Sequence, residues 1–381
     1  MEIDLFTPEF QRDPYPTYAR LREHAPIYRE PRFGNYLLTR FADVHAALRD
    51  HATFSSAQGV APFGPTSAPS LTSLDPPQHD RMRALVNKAF SPRRVAESRA
   101  QIESLTQDLL DAVGSPRFDL VASLAHPLPV FVIARILGVP PERGPDFKRW
   151  SDALVGLLER LPTAAELAAV REMLAFFREV AAARRHDPRE DLISALVHAE
   201  IDGQSLAETE VLGMCLQLLV AGNETTTNLI ANLVNVLVER PDLWSALRAD
   251  RRLVDAAIEE TLRFDSPVQN LARTAAREVT LASGAIPGGA RVLVSYGAAN
   301  RDPSQFAELD SFRLDRASGL HLAFGFGVHY CLGAPLARVE ASIAVNALLD
   351  RFATLERAAP GERILASVIR GFAKLPVRAT C

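Results

Sequence analysis

The stretch F-G-F-G-V-H-Y-C-L-G, Phe324 to Gly333, places one of only three cysteines, Cys331, among glycines and two residues after a histidine. A structural cysteine ordinarily packs among branched apolar side chains, whereas Gly325, Gly327 and Gly333 strip this loop down to backbone around the sulfur. Something large is therefore expected to approach that sulfur closely. With 19 Phe, 20 Gly, 9 His and 3 Cys in 381 residues, a chance match to F-x-x-G-x-H-x-C-x-G is on the order of 10⁻⁵.

The composition around this motif is that of a soluble globular protein. It is 48% hydrophobic and 23% charged, with mean hydropathy near zero, enough to build an extensive core in one domain over residues 1–381. Forty-six acids against 42 bases give a net charge of -4, too balanced for binding nucleic acid through a general positive field. The N-terminus, MEIDLFTPEF, lacks the basic and apolar segments of a secretory signal, and no later apolar run approaches ~18 residues. A cytoplasmic, unanchored protein is expected. Cys215, Cys331 and Cys381 are too few and too distant for a disulfide framework.

Outward from the cysteine loop the chain reads as mainly helical with small sheets. GNYLLTRFADVHAALRD reads as a strand then a helix, and Ser55 to Ser73 is a loop without charged residues. Asp75 is expected to cap the helix that follows, with Gln78 three residues later, and this helix carries His79 and Arg83 on one face. The longest helix is predicted from Ser205, with a capping box to Glu208, to the Arg240-Pro241 boundary. At ~1.5 Å per residue it is roughly 50 Å long, and its apolar middle predicts burial. Strand-like segments fall around residues 271–297 and 366–378.

Two further motifs stand out. AGNETTT, Ala221 to Thr227, puts Glu224 and Thr225 where burial is expensive, although a threonine there can simply bond back to a carbonyl of its own helix. E-T-L-R, Glu260 to Arg263, forms an i,i+3 pair that in isolation is an ordinary surface ion pair.

Taken together these residues resemble the cytochrome P-450 family, from about Asp13 to Arg378 and including the terminal SVIRGFAKLPVR. The resemblance implies a mainly α fold with small β-sheets, haem b as cofactor, and Cys331 as the thiolate ligand of its iron, with backbone N–H groups tuning the sulfur. No C-x-x-C-H is present for covalent haem attachment, and Cys331 with His329 lacks the further ligands of a zinc site. Glu224 and Thr225 correspond to the acid–alcohol pair over the distal face, where the helix ladder opens locally. By this resemblance Thr225 is expected to hold dioxygen by a hydrogen bond while Glu224 and water relay protons toward O–O cleavage, with Gly222 letting the small ligand near the backbone. Glu260 and Arg263 tie their helix to the segment DPSQFAELDSFRLDR, in which Leu309 replaces a frequent proline. His79, Arg83, Arg273 and His329 are implied to hold the two propionates.

Activity is expected to be insertion of one oxygen atom from O₂ into a medium-sized lipophile such as a fatty acid, terpenoid or steroid. Val60, Phe63, Leu219, Ala221, Val268, Gln269, Leu271, Val368 and Ile369 are implied to line an uncharged pocket, with Asn270 adding a neutral hydrogen bond and Arg370 available to anchor a carboxylate. The chain has no G-x-G-x-x-G dinucleotide unit and too few cysteines for an iron–sulfur cluster, so electrons are expected from a ferredoxin or flavodoxin with an NAD(P)H-dependent reductase. Lys88, Arg93 and Arg94 are candidates for docking that carrier. The rival readings are a peroxide-driven haem-thiolate peroxygenase and a non-catalytic haem gas sensor.

Overall fold

The computed structural model describes residues 2–62, 70–87, 90, 92–159, 163–201, 203–316 and 320–380. Its core is built on the helix Glu208–Glu239, which packs against Pro127–Ile136, Gly144–Glu159, Leu253–Phe264 and Ala334–Arg351. From Thr226 to Val238 every residue of this central helix is buried, so it has no solvent face over that length and is held by apolar packing on all sides. It ends as expected: Arg240 caps it, and Pro241, which has no N–H to donate, opens the next helix. Its start lies further on than expected. Gly203, at φ +75°, turns a small hairpin pairing Glu200–Ile201 with Gln204–Ser205, so Ser205 is strand and the capping partners are the Ala207 N–H and Glu210 Oε2, 2.8 Å apart.

Asp75 also differs from its expected role. Its carboxylate accepts from the Ser55 hydroxyl and, at 2.8 Å, from the Ser56 N–H, and only its carbonyl serves the helix Gln78–Asn87, accepting the His79 N–H at 2.9 Å. It therefore ties the preceding loop to the helix that carries His79 and Arg83.

The largest sheet has the spatial order Ile27–Arg29, Tyr36–Leu38, Arg291–Ser295, Asn270–Ala275, Phe54–Ser55. Its antiparallel pair sets Val292 opposite Arg273, so Arg273 enters the site from a sheet interior. No described helix is long and apolar enough to cross a membrane.

Glu260 and Arg263 are far from an ordinary surface pair. Both are buried, with Arg263 Nε and Nη2 donating to the two Glu260 oxygens at 2.9 and 2.8 Å. Arg316 Nε reaches the same carboxylate at 3.0 Å, and Arg263 Nη1 donates to the carbonyls of Asn300 and Leu309. Leu309 thus keeps this segment docked through its carbonyl although it is no proline.

Candidate active site

The cysteine loop is shaped by short backbone bonds. The Cys331 N–H donates to Phe324 O at 2.9 Å and the Tyr330 N–H to Gly327 O at 3.0 Å. Gly327 has φ +72°, and a Cβ there would stand 2.7 Å from the Leu48 carbonyl, so only glycine fits this close approach. The sulfur lies where the helix Ala334–Arg351 begins. Burial pushes the Cys331 thiol up, while the backbone N–H groups of Gly333 and Ala334, and the Arg83 guanidinium, pull the other way and favour thiolate. Cys215 differs: it is enclosed in the core, and burial pushes its thiol up to about 12. Cys381 lies outside the described residues.

Arg83 clamps this loop from the helix Gln78–Asn87, with Nη1 donating to Val328 O at 3.2 Å and Nη2 to Tyr330 O at 2.6 Å. Beside it the His79 and His329 rings meet edge-on, centroids 4.4 Å apart. The His79 Nδ1 lies 2.9 Å from Asp80 Oδ1, but the Nε2 atoms of both histidines are buried without a partner. His329 is pushed down to about 3, first by burial and then by Arg273, His79, Arg83 and His51. Arg273 is itself buried and donates to the Ala272 carbonyl. Among the described residues neither Arg83 nor Arg273 forms an ion pair with a carboxylate.

Two arginines and two histidines thus converge with little counter-charge and two orphaned ring nitrogens. Leaving buried donors and cations unpaired is costly, so the cluster fits a bound dianion with carboxylate oxygens. The propionates of haem b have that chemistry, and the glycine-stripped loop lets a flat group lie against the sulfur. No group of three or more His, Cys, Asp or Glu side chains placed to hold a metal ion appears among the described residues.

On the central helix, Ala221 is exposed between the half-buried Val220 and Gly222. Thr225, one turn on, donates its hydroxyl to Ala221 O at 2.8 Å. The helix is continuous here, so the expected local opening of its ladder is absent and the threonine makes the back-bond. Gly222 also departs from expectation: a Cβ there would meet Ile133 at 3.5 Å, so it faces the neighbouring helix instead of a small ligand. Burial pushes the Glu224 carboxyl up, opposed by His126 and by Asn228, whose Nδ2 donates to Oε1 at 3.4 Å. His126 Nε2 sits 3.1 Å from Asp152 Oδ1, and Lys148 binds the other oxygen at 2.8 Å. Lys148 and Asp152 are an i,i+4 pair on the helix Gly144–Glu159, but the sequence reading missed the trio because His126 reaches Asp152 from a separate segment.

The expected pocket residues divide. Val268 bridges Ile369, and Leu271 packs with Val368 and Ile369 in one small apolar cluster, while the Val60 carbonyl accepts the Ala272 N–H at 2.8 Å. Leu219 lies in the main core with no exposed surface, because two residues turn it roughly 200° around the helix from Ala221. Gln269 is likewise turned into packed structure, its Nε2 donating to Ser266 O at 2.8 Å and Tyr15 Oη at 3.3 Å. Asn270 donates to Tyr18 Oη and Ser367 O. Arg370 is bound to Asp265 at 2.5 Å and buried, so it offers no free charge for a carboxylate. Phe63 and Lys88 lie outside the described residues, as does the side chain of Arg94; Arg93 is exposed and paired with Glu97 at 2.8 Å.

Comparison with known proteins gives the family. The family described as Cytochrome P450 matches residues 145–377. The cytochrome P450 monooxygenase PikC of Streptomyces venezuelae is 40% identical over 394 aligned positions, 99% of this chain and 94% of that one. The structure of cytochrome P450 CYP109Q5 from Chondromyces apiculatus superposes with a TM-score of 0.92 at 40% identity, covering 100% of this chain and 98% of that chain. CYP109E1 from Bacillus megaterium, solved in complex with testosterone, superposes at 0.90 with 34% identity, covering 98% and 100%. The fold and site define a haem-binding oxidoreductase. This chain belongs to the cytochrome P450 family: it is a P450 monooxygenase with haem b as its cofactor.

Proposed function

We propose that this enzyme hydroxylates or epoxidises a medium-sized lipophile, using O₂ and electrons delivered by a separate ferredoxin or flavodoxin and its NAD(P)H-dependent reductase. The observation that carries this reading is the buried cationic cluster beside an accessible, N–H-supported Cys331. His79, Arg83, Arg273 and His329 hold the propionates and Cys331 ligates the iron. Because these residues span most of the sequence, the chain works as a single domain. Bound haem supplies the activation of O₂, one atom of which enters the substrate while the other leaves as water after two electrons and two protons are taken up.

The protein's part is to bind and to manage protons. Glu224, with its carboxyl pushed up by burial, holds a proton closer to neutral pH than an exposed glutamate does. The Thr225 hydroxyl, now on the Ala221 carbonyl, rotates to donate toward the cavity when oxygen binds. Val60, Val268, Leu271, Val368 and Ile369 supply apolar contact, and the testosterone complex of CYP109E1 is consistent with a lipophilic guest. Turnover of one accepted lipophile should require NAD(P)H, reductase and carrier. Turnover by peroxide alone would support the peroxygenase, and none under either condition would support the gas sensor.

A further inference from the structure

Gln217 lies one turn before the exposed Ala221 and two turns before Thr225 on the central helix, at about 40° and 80° around its axis. It is partly exposed, and its Oε1 accepts the backbone N–H of Thr72 at 3.3 Å. A backbone N–H can only donate, so this bond fixes the carboxamide with oxygen toward the loop and leaves the Nε2 amide as the free donor. No partner for that NH₂ is found among the described residues. Around Thr72 stand further neutral groups, the Ser70 hydroxyl lying 3.2 Å from Thr72 Oγ1 and 3.1 Å from Ser73 Oγ.

Charge is missing from this end of the site. Residues 70–74 and 216–222, the loop and helix stretches that the Gln217–Thr72 bond joins, contain no Asp, Glu, Lys or Arg. A carboxylate would therefore be desolvated here without a cation, whereas a carbonyl or hydroxyl oxygen needs only one donor. Eight residues at ~1.5 Å each set Gln217 roughly 12 Å along the axis from Thr225.

Resting on the monooxygenase reading above, we propose that Gln217 is a specificity-determining residue whose Nε2 amide binds an uncharged oxygen at one end of a rigid lipophile, presenting the far end, roughly 12 Å away, for oxidation. The preferred class is then the oxygenated polycyclic lipid, with free fatty acids disfavoured.

Testosterone and androstane, the same ring skeleton with and without oxygen, are suitable probes for the haem-loaded enzyme, with palmitate as the acid. Calorimetry and the high-spin shift should show testosterone binding roughly fivefold tighter than androstane, and palmitate weaker than testosterone. Gln217→Leu should abolish the preference while leaving androstane affinity unchanged. Gln217→Glu keeps an acceptor for the Thr72 N–H but removes the donor, so it should also fail to recover testosterone binding. Equal wild-type affinities, no shift with either steroid, tighter palmitate binding, equal weakening of both steroids in Gln217→Leu, or recovery in Gln217→Glu would each overturn the anchor. Dependence of turnover on NAD(P)H, reductase and carrier, measured on the same samples with whichever lipophile is accepted, separates these failures from failure of the monooxygenase reading, because only the latter would remove that dependence.

Discussion

The imidazoles of His79 and His329 stand edge-on with centroids 4.4 Å apart, each with a buried Nε2 that has no partner among the described residues. Two potential cations from such distant segments do not stack for their own stability; an anion between or above them resolves the arrangement. His329 is held neutral by burial and by neighbouring positive charge, which pushes it down to about 3.

A pH signature follows from this pair. In the haem-free protein the folded state binds fewer protons than the unfolded state between about pH 3 and an ordinary histidine value of ~6.5. Stability should therefore be fully present above ~6.5 and fall as the pH drops through that window. Two propionates favour the protonated ring, so haem loading should flatten the slope. Urea midpoints at pH 7, 6 and 5, with and without haem, check this; equal slopes would remove the propionate assignment.

The buried Glu260–Arg263 pair should be intolerant of one-sided change. Arg263→Met leaves Glu260 with Arg316 and the Arg313 N–H, and strips the Asn300 and Leu309 carbonyls of their donor. Removing one partner of a buried pair typically costs about 3–5 kcal/mol. Thermal unfolding should show the loss together with poor haem retention, whereas Arg93→Met at an exposed pair should change neither measurably.

Thr225→Ala should fold and bind haem, because among the described residues the hydroxyl bonds only to its own helix. Its loss should divert electrons into peroxide or water, lowering product per NAD(P)H consumed, with Thr225→Ser retaining most coupling. Peroxide-supported turnover should change much less. Unchanged coupling would remove Thr225 from proton delivery.

How much of this was legible in the sequence follows from the range of each signal. The cysteine loop is a local motif whose glycines and backbone bonds lie within ten residues, so it was read directly, and the end of the central helix was marked by Pro241. The helix start was misplaced because Ser205 suits a cap and a hairpin equally well; the turn at Gly203 decided between them. Facing was harder still. Leu219 and Ala221 differ by only two positions, yet one is core and the other is exposed, and uniform apolarity hides that rotation. The commitment of Arg370 to Asp265 and the approach of His126 to Asp152 near Glu224 depend on contacts between separate elements, for which no spacing exists to read, whereas Lys148 and Asp152 are an i,i+4 pair on one helix.

The most direct test of the account is the carbon monoxide spectrum of the reduced, haem-loaded enzyme. If Cys331 ligates the iron, the wild-type protein should show the red-shifted band of thiolate-ligated haem, and Cys331→Ser should lose it, while Cys215→Ser, a change at a thiol enclosed in the core, should keep it. A Cys331→Ser protein that binds haem and still shows the red-shifted band would contradict the account.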